Sequence, residues 1–527
     1  MKKFTLPLLA ALSLILFGAC GRTNTSDKTA DGKEKLSIVT TFYPMYDFTK
    51  NIVGDEGDVK LLIPAGSEPH DYEPSAKDMA TIHDADVFVY HNENMESWVP
   101  KAAKGWKKGA PNVIKGTENM VLLPGSDEDG HDHDHEHDHE HDHEHDHEHD
   151  HEHGEGGHHH ELDPHTWVSP HRAIQEVTNI KEQLVKLYPK KAKTFETNAE
   201  KYLTKLTALD KEFQTALKDA KQKSFVTQHA AFGYLALDYG LKQVPIAGLT
   251  PEQEPTAGRL AELKKYVTDN QIRYIYFEKN ANDKIAKTLA DEANVQLEVL
   301  NPLESLTQKQ MDNGEDYLSV MKENLTALKK TTDTAGKEVQ PETSEKTEKT
   351  VTNGYFKDSE VAERTLADYA GNWQSVYPLL KDGTLDQVFD YKAKLKKDKT
   401  PAEYKTYYDA GYQTDVDHIN ITDSTIEFLV DGKPQKFTYK AAGYKILNYA
   451  KGNRGVRFLF ETDDANAGRF KYVQFSDHNI APTKAAHFHI FFGGDSQESL
   501  FNEMDNWPTY YPSDLSKQEI AQEMIAH

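Results

Sequence analysis

Residues 224–240 read SFVTQHAAFGYLALDYG, and this stretch carries the main signal for the fold. A short β-rich run comes first, His229 follows it, and an amphipathic pattern typical of a helix comes next. Similar β-rich runs, each followed by helical sequence, occur at residues 36–42, 59–63, 85–90, 271–277 and 295–300. Strands that alternate with helices predict an α/β architecture with parallel sheets, whose ligands bind beyond the carboxyl ends of the strands.

The longest helical pattern begins at Pro170 and continues past Leu184. Pro189 is expected to break it before a second helix that reaches about Lys221, because proline removes a backbone donor and clashes with the preceding turn. We therefore predict two α/β lobes joined by a long backbone helix.

The chain has 527 residues, more than one hydrophobic core usually organises, so two domains are expected. Residues 331–353 contain no aromatic, Leu, Ile or Met residue and predict an extended linker. β-rich runs with turn residues follow, at residues 424–430, 437–439, 455–460, 470–475 and 486–492. They predict a second, mainly-β domain over residues 354–527, built as a small barrel or sandwich after a helical start.

The N-terminus predicts export. Lys2 and Lys3 precede a short apolar run, and residues 17–20 read FGAC, which resembles a lipobox with Phe17 in place of the usual Leu. We predict a signal peptide over residues 1–19, lipidation of Cys20, and a lipid anchor and tether over residues 20–35. Cys20 is the only cysteine, so disulfides within the chain and thiolate zinc sites are excluded.

The net charge of −25 disfavours nucleic acid as a partner, because phosphates require basic surfaces. Fifteen of the 26 histidines lie between His131 and His160, interleaved with Asp and Glu. Such a tract cannot form a packed core, so residues 127–160 are expected to be an exposed loop within the first domain that binds several Zn²⁺ ions weakly.

Three further histidines follow strands or loops at predicted lobe edges: His70 in EPHD, His165 in DPHTW and His229 in TQHAAF. Three imidazoles and one carboxylate would complete a tetrahedral Zn²⁺ shell. The carboxylate is either Glu278, at the end of a predicted strand, or Glu304, in the loop after the last one. Packing or surface roles are the better explanation for the neighbouring histidines His83, His91 and His171.

These motifs, together with residues 301–304 (NPLE), resemble the cluster A-I, ZnuA-like solute-binding proteins of metal ABC importers over residues 36–330. The resemblance implies His70, His165, His229 and Glu304 as the ligands, with Glu278 as second choice. Manganese relatives usually carry a carboxylate at the third position, so His229 favours zinc, the softer of the two metals. The resemblance also implies an ABC permease and ATPase as partners.

A second set of histidines lies near the C-terminus. His487 and His489 alternate along a predicted strand and so share one face, and His478 is expected to complete a three-histidine site with a water in the fourth position. Residues 371–377 and 477–494 resemble ZinT, a zinc-binding protein with a calycin-like, lipocalin-related barrel, over residues 354–527.

The fusion of both parts resembles zinc-uptake lipoproteins of Gram-positive cocci. It implies a monomeric, non-enzymatic Zn²⁺ receptor, lipid-anchored at the extracellular face of the cell membrane, that supplies an ABC importer. The alternatives are a manganese receptor of the same fold and a metal-dependent surface adhesin. A zinc hydrolase is disfavoured because no general-base motif such as HExxH includes the histidines of the two predicted sites.

Overall fold

The structure, a computed structural model, describes residues 35–106, 110–125, 162–251, 255–279, 283–337, 349–449 and 452–526. The predicted signal peptide, Cys20 and the histidine tract at 127–160 lie outside these residues. None of the helices in the described ranges is long and apolar enough to cross a membrane.

The first lobe is a four-stranded parallel sheet in the order β2-β1-β3-β4. β3 reads VFVY and is buried along its whole length, as expected of a central strand covered on both faces. The elements are β1 (Leu36–Thr40), α1 (Tyr43–Val53), β2 (Gly57–Leu61), α2 (Ala76–His83), β3 (Val87–Tyr90), α3 (Val99–Lys104) and β4 (Asn112–Lys115).

The predicted backbone helix is confirmed as a pair, α4 (Pro170–Leu187) and α5 (Ala192–Leu217), separated at Pro189. α5 has 26 residues and is therefore about 39 Å long. One face of α5 buries Phe195, Leu206 and Phe213 in a core that also contains residues of both lobes. The helix pair thus joins the lobes through a continuous apolar core.

The second lobe repeats the architecture, with a parallel sheet in the order β6-β5-β7-β8. β4 and β6 were not predicted, because both are edge strands of only four residues that include polar positions. The elements are β5 (Ser224–Thr227), α6 (Gly233–Tyr239), β6 (Lys242–Pro245), α7 (Ala257–Asp269), β7 (Tyr274–Phe277), α8 (Lys284–Ala293), β8 (Gln296–Val299), α9 (Gln308–Asp312) and α10 (Tyr317–Thr332).

The predicted linker begins two residues too early. Thr331 and Thr332 are the last residues of α10, and both are buried. The Tyr276 hydroxyl lies 2.7 Å from the Thr331 hydroxyl, and the Thr332 carbonyl accepts the Lys221 N–H. Because these bonds come from residues distant in sequence, the polar composition of the segment did not reveal them.

The C-terminal domain is one nine-stranded antiparallel sheet in the order β12-β11-β10-β9-β17-β16-β15-β14-β13. Its edge strands β12 and β13 are joined by Tyr439 alone, so the sheet must curl until its two edges approach each other. This half-barrel confirms the predicted mainly-β, calycin-like fold. The strands are β9 (Gly371–Ser375), β10 (Val416–Ile421), β11 (Thr425–Val430), β12 (Lys433–Thr438), β13 (Lys440–Asn448), β14 (Arg454–Glu461), β15 (Tyr472–Ser476), β16 (Phe488–Gly493) and β17 (Thr509–Pro512).

Four helices share an apolar core beside this barrel: α11 (Tyr377–Lys381), α12 (Asp386–Lys396), α13 (Pro401–Tyr412) and α15 (Lys517–Ala526). The short helix α14 (Gln497–Leu500) packs on β15 and β16. The predicted strand at residues 486–492 begins two residues later, at Phe488, so His487 immediately precedes β16. Strands β9, β10, β13 and β17 were not among the predicted runs.

The two domains contact each other where the first domain leads into the histidine tract. The Gln522 side chain accepts the Leu122 N–H at 2.8 Å and donates to the Leu122 carbonyl at 2.7 Å. Gln387 binds the same segment, accepting from the Val121 N–H at 3.1 Å, and the Val121 side chain joins the core of the C-terminal helices. The segment before the tract is therefore held by the second domain.

A buried ion-pair network also crosses this interface. Arg172 and Asp238 of the first domain form a bidentate pair at 2.9 and 3.0 Å, and Lys394 of the second domain reaches Asp238 at 2.8 Å. Burial opposes the charge on Asp238, but Arg172 and Lys394 outweigh it and lower the pKa of Asp238 to about 2. The contribution of this carboxylate to stability is therefore present above pH ~4 and lost as the pH falls toward 2.

Replacing Arg172 by Met is expected to lower the free energy of unfolding at pH 7 by about 3–5 kcal/mol, because it leaves the buried Asp238 carboxylate without its main partner. Urea unfolding of the full chain measures the change. Lys265→Met is the matched control, since it removes an ion pair whose lysine side chain is 79% exposed. A loss as small as that of the control would contradict the energetic role of the network.

Candidate metal centres

The structure brings the four residues expected in the first site together between the lobes. His70 follows β2, His165 comes shortly after the histidine tract in sequence, His229 follows β5 and Glu304 follows β8. Because parallel strands end at the same edge of each sheet, loops from both lobes meet across the cleft. The side chains of His165 and His229 are fully buried, and those of His70 and Glu304 are 5% exposed.

The distances within this cluster fit a tetrahedral metal shell. Glu304 Oε1 lies 3.4 Å from His70 Nε2, 3.4 Å from His165 Nε2 and 3.1 Å from His229 Nε2. The Nε2 atoms of His70 and His165 are 3.2 Å apart. Ligands about 2.0–2.2 Å from a central ion would lie about 3.3–3.6 Å from one another at the corners of a tetrahedron. The four atoms are thus spaced for a small divalent ion.

Two carboxylates orient the imidazoles from behind. Asp163 Oδ1 lies 2.7 Å from His165 Nδ1, and Glu278 Oε1 lies 2.5 Å from His229 Nδ1. Each leaves the Nε2 atom of its histidine directed at the centre, an arrangement that fixes the tautomer and raises ligand basicity. Glu278, the alternative ligand, therefore contacts the far side of His229, whereas Glu304 faces the centre.

Sequence reasoning assigned no role to Asp163, although it lies in the DPHTW motif. The signal available in the sequence was the position of Asp163 two residues before His165. At this spacing Asp163 Oδ1 also accepts the His165 N–H, at 2.9 Å. The backbone bond and the ring bond together hold the side chain of the histidine in one orientation.

The charged groups of the first cluster shift one another's pKa values. Burial lowers the pKa of His229, but Glu278 and Glu304 outweigh burial and raise it well above its usual value. Burial raises the pKa of Glu304, but His229, His165 and His70 outweigh it and hold the carboxyl well below its usual range. A proton on His229 would compete with a metal ion, so binding at this site is expected to release protons.

Replacing Glu278 by Gln is expected to weaken Zn²⁺ binding at the first site about 10- to 100-fold, because the amide keeps the size of the side chain but removes the charge behind His229. Competition with a zinc chelator measures the change. Glu298→Gln is the control, since Glu298 pairs with Lys330 on the same lobe. Equal affinities in both variants would show that the orienting carboxylate has no influence on the metal.

The histidines expected to pack or to lie at the surface do so. His91 is fully buried, its Nε2 lies 2.6 Å from the Pro164 carbonyl, and its ring packs against Trp167. His83 is exposed and contacts Asp84. His171 lies near Asp238 and Asp390, but Arg172 and Lys394 already bind both carboxylates. These two cations would repel a metal ion there.

The second predicted set also comes together, at one end of the C-terminal barrel. The ring centroids of His478, His487 and His489 are 5.7 to 5.9 Å apart, and their ligand atoms lie within 4.8 Å of one another. His489 Nδ1 lies 2.7 Å from the Thr509 hydroxyl. His487 stacks on Tyr511.

His478 is exposed and has a backbone φ of +66°, which is rare for a residue with a side chain. The preceding residue, Asp477, is buried and bonds the Arg364 guanidinium at 2.6 Å. This anchor fixes the turn after β15, so that His478 is brought opposite His489. Within the described residues this cluster contains three candidate ligand side chains, compared with four in the first.

The fold and its two clusters define a class, the metal-binding solute-binding proteins that carry an additional lipocalin-like domain. Comparison with known proteins gives the particular family. The family profile described as zinc-uptake complex component A, periplasmic, matches residues 38–331. The profile described as ZinT (YodA), periplasmic lipocalin-like zinc-recruitment, matches residues 347–527.

Several relatives match closely. The zinc-binding lipoprotein AdcA of Streptococcus pneumoniae strain R6 is 61% identical over 527 residues, covering 100% of both chains. The high-affinity zinc uptake system protein ZnuA of Bacillus subtilis is 48% identical over 328 residues, covering 62% of this chain and 97% of ZnuA. A crystal structure of Zn(II)-bound AdcA from S. pneumoniae superposes with a TM-score of 0.82 at 61% identity, covering 94% of this chain and all of that one. The chain belongs to the AdcA family, in which a ZnuA-like domain and a ZinT-like domain share one chain.

Proposed function

We propose that this protein captures Zn²⁺ outside the cell and delivers it to an ABC-type zinc importer, with His70, His165, His229 and Glu304 as the ligands of the transported ion. The observation that carries the proposal is the tetrahedral spacing of these four ligand atoms in a buried cleft between two lobes. Membership of the AdcA family, whose pneumococcal member is described as a zinc-binding lipoprotein, supports zinc as the cargo.

The chemistry of the ligands favours zinc over manganese. Three imidazole nitrogens and one carboxylate oxygen suit Zn²⁺, whereas Mn²⁺ prefers a shell richer in oxygen. The manganese receptor and the adhesin considered from the sequence are not favoured by the comparisons. A receptor role without catalysis is also supported by the first site, since its four protein ligands fill a tetrahedral shell.

The ZinT-like domain is proposed to recruit zinc when it is scarce, with His478, His487 and His489 as ligands. His478 is exposed, so an ion can enter this site directly from solvent. The first site is deeply buried, so an ion reaches it only through the cleft between the lobes. The histidine tract at residues 127–160 is proposed to concentrate zinc near both, because imidazoles spaced among carboxylates bind several ions weakly.

Attachment and partners complete the proposal. Lipidation of Cys20 after cleavage of residues 1–19 would anchor the protein at the outer face of the membrane through the tether at residues 20–35. A permease and an ATPase would receive the zinc from a monomeric receptor. Residues 36–332 and 354–527 are proposed as separate zinc-binding domains, connected by the polar segment that follows α10.

The test is the metal content of the purified mature protein. We expect native mass spectrometry to show about two firmly bound Zn²⁺ ions per chain, one per cluster, with further ions bound weakly by the tract. Alanine at His70 and His165 should remove one ion, and alanine at His487 and His489 the other. Retention of manganese, or the absence of tightly bound zinc, would refute the proposed function.

A further inference from the structure

A cavity of about 430 Å³ opens beside the second cluster, with His478 and His489 in its wall. The remaining wall includes the aromatic side chains of Phe491 and Trp507 and the side chain of Met504. Sites that bind small organic molecules commonly have volumes of about 300–1,000 Å³ and apolar walls with a few polar groups. A single zinc ion with one water molecule would fill only a small part of this space.

The same cavity contains a buried cation. Arg457 is 4% exposed, and its guanidinium stacks on the Phe491 ring at 3.5 Å from the ring centre. Its hydrogen bonds go to neutral acceptors, namely the Gln474 side chain, the carbonyls of Leu500 and Glu503 and, at 3.9 Å, the Met504 sulfur. Among the residues that the structure describes, no carboxylate forms an ion pair with it. A buried guanidinium that forms no ion pair is costly, so the cavity favours a ligand with a negative charge.

Strand geometry places this cation near the zinc cluster. His489 and Phe491 are two residues apart on β16, so their side chains lie on the same face, about 7 Å apart along the strand. Arg457 lies over Phe491, whereas Phe488 and Ile490 face the barrel core. The Glu503 carboxylate also lines the cavity, but it accepts the N–H groups of its own loop, from Asp505 and Asn506.

We infer that the ZinT-like domain binds zinc together with a small carboxylate-bearing chelator of about the size of an amino acid. A nitrogen or oxygen atom of the chelator would occupy the fourth position of the ion held by His478, His487 and His489. Its carboxylate would lie toward Arg457, and its body would pack against Phe491 and Trp507. The inference rests on the proposed zinc site of this domain, and it assigns to the cavity a ligand that zinc binding alone does not require.

L-Histidine is the probe, because it carries a zinc-binding imidazole and a carboxylate, and imidazole is the matched probe without the carboxylate. Native mass spectrometry of the zinc-loaded full chain is expected to show one added histidine, bound about tenfold or more tightly than imidazole, as a charge-assisted contact would give. The H478A/H489A variant should lose the zinc of this site and the added histidine together.

Two variants test the cavity itself. Arg457→Met should retain the zinc and bind histidine no better than imidazole. Met504→Trp should block the cavity from a position that is 53% exposed and therefore tolerant of substitution, so it remains decisive if the buried Arg457 variant fails to fold. Retained zinc without added histidine, or histidine bound equally by the wild type and by Met504→Trp, would overturn the inference. If the wild-type protein bound no zinc at the cluster of His478, His487 and His489, the proposed function of this domain would be refuted instead.

Discussion

Replacing His229 by Ala is expected to weaken zinc binding at the first site by about 100- to 1,000-fold. Zinc bound by four protein ligands gains about 10–16 kcal/mol, so the mean share of one ligand is about 2.5–4 kcal/mol. His229 is fully buried, and its Nε2 lies 3.1 Å from the Glu304 carboxylate that would share the ion. Its removal also leaves Glu278 without the imidazole that it bonds.

The affinity is measured by competition with a chelator in a background where His487 and His489 are alanine, so that the first site is the only tight site expected to remain. His83→Ala is the control, because that histidine is exposed and pairs with the neighbouring, likewise exposed Asp84, away from both clusters. Circular dichroism confirms the fold of each variant. An affinity within a factor of about three of the control would remove His229 from the proposed ligand set.

The second large effect is expected in cells. Replacing His70 and His165 together should abolish zinc accumulation through this receptor at every zinc concentration, because the buried site is the one proposed to present the ion to the permease. Replacing His478, His487 and His489 should reduce accumulation only when zinc is scarce. The difference follows from the structure, since the first cluster has four candidate ligands in a cleft between lobes and the second has three, of which His478 is exposed.

Accumulation of radioactive zinc, measured across a chelator series in cells without another zinc receptor, distinguishes the two variants. A strain that carries Glu298→Gln, which keeps both clusters, is the control for expression and export. If the triple replacement stopped uptake even at ample zinc, the C-terminal domain would belong to the transfer route, and its assignment to recruitment at low zinc would be wrong.

The candidate sites were predictable because their residues lie in short, distinctive motifs. His165 comes with DPHTW and His229 with TQHAAF, each after a strand or loop, and the alternation of His487 and His489 gives one face by geometry alone. The order of strands and helices was likewise visible, because periodicity is a local property. Edge strands such as β4 and β6 were missed, since a half-exposed strand of four residues lacks a clear apolar run.

Sequence by itself determined the class of the protein, the two candidate metal-binding sets and the family resemblance, because these depend on residue types and on spacings within a few turns of chain. Only the tertiary structure decided which glutamate faces the cluster. Glu304 and Glu278 are both placed at strand ends, yet Glu304 lies within 3.4 Å of the Nε2 atom of His70, 234 residues away, while Glu278 contacts His229 Nδ1. The docking of Gln522 on Leu122, across 400 residues, was equally invisible. Such contacts depend on how helices and sheets pack in space, and no local pattern encodes the distance between them.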